Sequence, residues 1–444
     1  MYSSTQKWTK ENCIPLSCMR GQERQYRFVL PIQKHFIPLF IEEAMTNHPS
    51  EVYFGSIQHG NPGGFASMTA KLNKIIEHLD FSTIEKKDKV AVKMHLGFRD
   101  GYQTVPVFFV RRVVKAVKEA GGYPFVTDNP TAVYNAAERG YTSETLGCPL
   151  IPVAGVKDGY HEEREFDFHN VDTLSIAGVL RDADVLIDLS HAKGHNTSGY
   201  GGAIKNIALG GYTGPSRWRK IHGVETSVDY WDADKCSPEH AKELVESCPE
   251  GHIKYDEEKH ELTIAFGMCN QCLECIEADE GTDCLHFGPE NFALFQELMA
   301  KGANEILNTF DDDKRFYLNF LLDITALCDC WGIAQPAVVN DIGILGSRDI
   351  VAIEQATLDL IAKEGLIGSM VPPFFRNVNL DPEADLHPFA RIHGPMKSPY
   401  LVTEYAEKLK MGTREYELVE LLSPEETKDT EAPKGVSEDQ PTFF

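Results

Sequence analysis

The stretch A-D-V-L-I-D-L-S-H-A-K-G-H-N-T-S-G-Y-G-G-A-I-K-N, residues 183–206, decides the fold. Val185 to Leu189 is a short apolar run of the kind that forms a buried strand. The residues beyond it are polar and flexible. His191 and His195 stand four apart, Gly199, Gly201 and Gly202 let the backbone approach a ligand closely, and Lys205 with Asn206 opens a short helix. A glycine-rich turn before a helix presents free N–H groups and the positive end of the helix dipole, which suits an anion. Two histidines, a lysine and Asp188 beside one strand end make this the candidate pocket, although a tight glycine turn carrying surface histidines has the same composition. It is not a Walker phosphate loop, because G-x4-G-K-[ST] is absent and Asn206 stands where Ser or Thr would hold magnesium.

Upstream the same rhythm repeats. Val52 to Ile57 reads as a strand, and Ser67 to Leu79 as a helix with Met68, Leu72, Ile75, Ile76 and Leu79 at helical spacing. Lys89 to Leu96 alternates as a strand until Gly97 breaks it; Pro106 to Ala120 is an amphipathic helix stopped by Gly121 and Gly122; Pro124 to Thr127 is a strand leading into Asp128. Strand, helix, strand alternation predicts an α/β fold with a mostly parallel sheet and flanking helices. Ligands gather at the carboxyl ends of such strands, where His95, Asp128 and Asn129 fall.

Downstream the rhythm resumes with a helix over Phe292 to Asn308, a strand over Phe316 to Thr325, a buried strand over Ala337 to Leu345 that holds Asp341, and a helix over Val351 to Ala362. Cys328-Asp329-Cys330 falls at a strand's carboxyl end. A C-x-C pair does not decide between metal binding, a dithiol and packing, and buried thiols are the default.

Between these halves lies a cysteine-bearing insert. Cys269, Cys272 and Cys275 repeat every third residue, a spacing that aims several sulfurs at one centre. Bacterial-type ferredoxins use C-x2-C-x2-C-x3-C-P twice, with the fourth cysteine of each run serving the other run's cluster. Here the fourth cysteine of the second run is missing, Cys284 comes too late, and the upstream run keeps only Cys236 and the proline-flanked Cys248. Cross-ligation therefore joins Cys248 to Cys269, Cys272 and Cys275 around one 4Fe–4S cluster. Cys236 and Cys284 remain as remnants of a second site, too few for a cubane. Zinc is the rival, with Cys284 or His286 as its last ligand.

Length and charge bound the rest. A chain of 444 residues, 42% hydrophobic and 25% charged, implies two or three domains of a soluble globular kind. The expected division is an arm at 1–50, α/β parts at 51–230 and 291–412, a ferredoxin-like iron–sulfur insert at 231–290, and an acidic tail at 413–444. In the arm, Cys13 and Cys18 form a loose pair that reads more readily as free thiols than as ligands. A net charge of −24 with only Arg217-Trp218-Arg219-Lys220 as a basic cluster argues against nucleic acid. Neither a secretory leader pattern nor a run of about 20 apolar residues is found, so a cytoplasmic location without a membrane is expected. The eleven cysteines then read as metal ligands or buried thiols rather than as a disulfide framework.

Several separated segments taken together resemble one family. K-V-A-V-K-M-H-L-G (89–97), residues 183–206, the C-D-C at 328–330 and D-I-G-I-L-G-S-R-D-I-V-A-I-E (341–354) are similar, in order, to the domain-of-unknown-function 362 family and its ferredoxin-containing members. The resemblance implies an iron–sulfur protein and leaves the reaction open. Glu239 and Lys242 stand where the middle cysteines of the first run would fall, which departs from a two-cluster pattern. The Gly-Gly-x-x-Lys segment followed by His222 is also similar to the nickel-pincer lactate racemase family, where such a lysine holds a cofactor and histidines serve acid–base and metal roles. That likeness implies Lys205, His191, His195 and His222 as pocket residues.

The functional expectation is a redox protein. Its cluster passes single electrons to or from an anionic ligand, with an electron-transfer partner; Lys205, Gly199, Gly201, Gly202 and Asn206 bind that ligand, and His191 or His195 donates a proton. The alternative is a non-catalytic binding or assembly factor whose cluster is structural or carried.

Overall fold

A computed structural model describes residues 49–429. Almost all of the expected arm, with Cys13 and Cys18, lies outside the described residues. The strands, in chain order, are β1 (Ser50–Ser56), β2 (Lys89–Met94), β3 (Tyr123–Asp128), β4 (Leu150–Pro152), the hairpin β5 (His161–Phe168) and β6 (Val171–Ala177), and β7 (Val185–His191). After these come the pairs β8 (Lys193–His195) with β9 (Gly199–Gly201) and β10 (Ile253–Asp256) with β11 (Glu261–Ile264), then β12 (Arg315–Leu321), β13 (Gly343–Ser347) and β14 (Tyr416–Glu420). Eight of them form one sheet in the order β14-β1-β13-β12-β7-β2-β3-β4.

The sheet is α/β and mostly parallel, as the alternation predicts. Only β13 runs against the rest, antiparallel to both β1 and β12. The cause is local: β13 returns from β12 through a connection without a helical crossover, and a parallel strand needs such a crossover. The expected strand over Ala337 to Leu345 is thereby corrected to Gly343–Ser347. Pro336, Asn340 and Asp341 favour turns, and Asp341 instead accepts the backbone N–H of Asp323 at 2.7 Å. The strand after Phe316 likewise stops at Leu321 rather than Thr325.

Strand alternation divides the apolar side chains between two cores. Val90, Val92 and Met94 of β2, with Ile187 and Phe320, pack beneath the helices Met68–Leu79 and Val107–Ala120. Ala91, Leu186, Tyr317 and Leu345 belong to the opposite core, with the helices Ala203–Gly210, Pro289–Leu307 and Ile350–Glu364. By the same alternation Lys93 and Asp188, partners across β2 and β7, point to the side of the helix Ala203–Gly210. A third, small core gathers Cys236, Leu244, Ile253, Leu262, Phe266 and Cys284 within the cysteine-bearing segment.

The acidic composition after Gly412 predicts a solvated tail over Ser423 to Phe444, of which 430–444 lie outside the described residues; the acidic stretch before it carries regular structure. Tyr416–Glu420 adds an edge strand parallel to β1, and Pro424–Thr427 forms one more helical turn capped by Ser423. Tyr416 and Val419 are partly buried while the glutamates are exposed, so a half-buried edge strand has the composition of a tail. No helix among the described residues is long and apolar enough to cross a membrane.

Candidate functional site

The carboxyl ends of β2, β3 and β7 open into a cavity of about 750 Å³. Lys93, Asp128 and Asn206 form its floor. The ammonium group of Lys93 lies 3.2 Å from Asp128 Oδ1 and donates to Asn206 Oδ1 at 2.9 Å, while Asn206 Nδ2 donates to Asp188 Oδ1 at 3.0 Å. Burial would raise the Asp128 carboxyl, but Lys93 and His95 hold it below the usual carboxylate range. Asp188 has weaker compensation, and burial lifts it to about 7.

Two histidines offer the cavity opposite faces of the same chemistry. His95 Nδ1 is 2.7 Å from Asp128 Oδ2, which accepts the Nδ1–H hydrogen bond and leaves a buried Nε2 with no hydrogen-bond partner. His195 Nδ1 accepts the backbone N–H groups of Thr197 and Ser198, both at 3.3 Å, so its proton sits on Nε2. Burial, then Lys205, hold His195 well below the ordinary histidine range and His222 down at about 3, so both rings are neutral. His222 is stacked on Trp218 and packs against Phe295 at the cavity wall.

Lys205 lines the cavity and makes no hydrogen bond or ion pair among the described residues. Burial, followed by the charge of Lys193, lowers it to about 7. Arg217 adds a second cation, its guanidinium donating to the Leu209 carbonyl. Lys193 is paired with Asp329 at 3.2 Å. A cavity with two unpaired cations, one acceptor nitrogen and one donor N–H is chemically suited to an anion that gains or loses a proton.

The remaining sequence-derived site residues divide. Gly202 and Asn206 line the cavity with Lys205, His195 and His222. His191 is buried behind it: Nδ1 meets Asp329 Oδ1 at 2.9 Å and Nε2 meets the Leu322 and Asp323 carbonyls, so neither nitrogen reaches a ligand. Gly199 and Gly201 belong to β9 and support the turn instead. A Cβ on Gly199 would run into the Lys397 carbonyl, and one on Gly201 into the Lys205 side chain 2.6 Å away.

The cysteine-bearing segment meets this cavity directly, because Ile264 to Met268 forms part of its wall and Cys269 comes next in the chain. Cys248, Cys269, Cys272 and Cys275 are electrostatic neighbours. Burial raises the thiols of Cys269, Cys272 and Cys275, and each is raised further by others of the four. Backbone N–H groups already point at sulfur, from His252 to Cys248 at 3.2 Å and from Gln271 to Cys269 at 3.4 Å. Gln271 and Leu273 take left-handed backbone conformations, φ 62° and 64°, which wrap the loop around these thiols.

Three features escape the sequence reading. Lys397 is buried with its Nζ donating to the carbonyls of Cys269 (2.6 Å) and Asn196 (2.7 Å), and burial lowers it to about 8. Glu225 lines the same wall and is raised by burial to about 8. Neither sits in a recognisable motif. Cys328 and Cys330 are joined by a disulfide, where free buried thiols are the sequence expectation; one turn at Asp329–Trp331 brings their Cα atoms to 5.4 Å. Their sulfurs lie with a ring nitrogen of His195 inside 4.8 Å, and a second such group joins His240, Asp279 and Cys284. The second is a candidate metal-holding set as it stands, whereas the first offers thiolates only when the disulfide is reduced.

Fold and site together define an α/β protein with an anion-suited cavity at the carboxyl edge of a parallel sheet and cysteine–histidine groups able to hold metal. The chain belongs to the family described as Domain of unknown function (DUF362), which matches residues 90–359. No curated protein matches the sequence. Among solved structures, the lactate racemase apoprotein from Thermoanaerobacterium thermosaccharolyticum aligns with 71% of this chain at 10% identity and a TM-score of 0.32. The chain spans 58% of that protein's length, and the likeness is too slight to transfer fold detail or activity.

Proposed function

We propose that the protein is an iron–sulfur oxidoreductase whose single 4Fe–4S cluster, held by Cys248, Cys269, Cys272 and Cys275, serves a small anionic ligand in the cavity. The observation that carries this reading is the shared segment: the cavity wall at Ile264 to Met268 runs straight into Cys269. The donor set fits the group, since four cysteines lie close enough to raise one another's thiols and backbone N–H groups are aimed at two of the sulfurs. When bound, such a cluster supplies one electron at a time at a potential set by thiolate ligation and nearby hydrogen bonds.

The chain's own residues do the rest. Lys205 and Arg217 hold the anionic group, and Asn206 keeps Lys93 and Asp188 in register beneath it. His95 Nε2 accepts a proton, its ring fixed by Asp128, while the Nε2–H of His195 donates a hydrogen bond to the ligand. Lys397, buried between the Cys269 carbonyl and the cavity wall, places a cation beside the thiolates and offsets their charge.

Anaerobic purification with iron and sulfide determination tests the proposal. About four irons and four sulfides per chain are expected, lost in Cys248→Ser and kept in Cys236→Ser. Sulfide-free protein with zinc bound at Cys248, or iron lost from Cys236→Ser and kept in Cys248→Ser, overturns it.

A further inference from the structure

The second ferredoxin-like run ends at Cys275, and the C-x3-C spacing puts its absent fourth cysteine at position 279, which is Asp279. That carboxylate is 4% exposed and does not stand alone. Asp279 Oδ1 lies 2.9 Å from His240 Nε2 and 3.0 Å from Cys284 Sγ. The buried thiol of Cys236 neighbours that of Cys284 closely enough to raise it. The segment from residues 236 to 284 thus brings one sulfur, one imidazole nitrogen and one carboxylate oxygen within 4.8 Å of one another, with the sulfur of Cys236 beside Cys284 in the small third core.

We propose that Cys236, His240, Asp279 and Cys284 form a mononuclear tetrahedral metal site for a zinc-class divalent cation, separate from the four cysteines assigned to the cluster. Donor identity argues for it: two thiols, an imidazole and a carboxylate are all ordinary zinc ligands. So does size. Bonds of about 2.0–2.3 Å place tetrahedral ligand atoms roughly 3.3–3.8 Å apart, and His240, Asp279 and Cys284 already offer atoms within 4.8 Å of one another. A cubane would need its ligands held well apart around four irons and four sulfides, and Glu239 and Lys242 stand where two of its cysteines would be.

The surroundings have the form that holds metal ligands in place. His240 Nδ1 meets Glu243 Oε2 at 3.1 Å, a carboxylate partner that leaves Nε2 directed at the site. Asp279 Oδ2 accepts the backbone N–H of Leu285 at 2.9 Å, which fixes the carboxylate and leaves Oδ1 for the ion. The N-terminal cap of the helix Pro238–Ser247, where Ser237 accepts the His240 N–H at 3.1 Å, sets the histidine's height on the helix. His240 itself is 15% exposed and gives the ion a way in.

The test uses the full chain, stripped with a chelator and reloaded with Zn²⁺ or Co²⁺, alongside anaerobically purified holoprotein. One zinc per chain is expected in addition to any iron, and Co²⁺ should give thiolate charge-transfer absorption that disappears in Cys284→Ser and Cys236→Ser. Glu243→Gln, which keeps every ligand, should weaken zinc affinity about 10–100-fold and so separates binding from folding. Loss of zinc in Cys284→Ser with iron retained, and the reverse in Cys248→Ser, supports two independent sites whatever the first one holds. Wild-type protein that takes up neither Zn²⁺ nor Co²⁺ stoichiometrically overturns the proposal. So does zinc that persists in the Cys236→Ser, Cys284→Ser double variant, or a second complement of sulfide that depends on Cys284.

Discussion

Lys205 carries its ammonium group into a cavity whose other lysines are already paired, Lys93 with Asp128 and Lys193 with Asp329. Its folded pKa of about 7 lies below the ordinary 10.5, so protonation is penalised in the fold. That penalty is absent above the unfolded value, grows as pH falls, and is complete below about 7. Lys205→Met should therefore stabilise the protein at neutral pH by about 1–3 kcal/mol, seen in urea unfolding, while removing anion binding. In the wild type, phosphate binding followed by calorimetry should weaken as pH rises through neutrality, and Lys205→Arg should flatten that profile. Asp188 behaves in the opposite sense. Its folded pKa is raised to about 7, so the stability it contributes is fully present below the unfolded value near 4 and is lost as pH rises through 7. The stability gap between Asp188→Asn and the wild type should accordingly open in favour of the variant across that window. His95, Asp128, Asp188 and Lys205 are legible because each sits at a strand end or a glycine turn, whereas Lys397 and Glu225 act through burial, which no spacing pattern reports.

Asp349 shows how one side chain ties elements together. Its Oδ1 caps the helix Ile350–Glu364 through the N–H groups of Val351 and Ala352, and its Oδ2 accepts from Ser50 of β1 and from the backbone N–H of Thr413 just before β14. Asp349→Ala should cost about 2–3 kcal/mol, more than the loss of a helix cap alone, as read from denaturant midpoints with an unchanged slope. The paired elements around it are unequally visible in the sequence. Leu72, Ile75 and Ile76 announce their helix by spacing, and the run at 89–96 announces β2 by alternation. β13 is hidden because a buried strand and the turn residues before it share one apolar stretch. β14 is hidden because only Tyr416 and Val419, one on each face, are partly buried, while Glu415, Glu417, Leu418 and Glu420 are exposed. A chain ending at residue 415 should lose about 2–4 kcal/mol and aggregate more readily, because β1 then becomes an open edge.

At the scale of the molecule, a net charge of −24 surrounds a cavity that holds the cations Lys205 and Arg217 without carboxylate partners. Long-range repulsion should slow the arrival of an anionic ligand, and salt should screen it. Stopped-flow association rates are thus expected to rise with ionic strength at the low end, while added salt weakens the final Lys205 contact. The placement of β1 has a consequence of another kind, in the order of synthesis. Its two partners, β13 and β14, come from the far end of the chain. On the ribosome β1 therefore emerges first and waits roughly three hundred residues before either neighbour exists, while β2, β3 and β4 can already pair. The nascent protein spends most of its translation as a half-sheet with an apolar strand in search of company, and β1 is the strand whose pairing must wait for the end of synthesis.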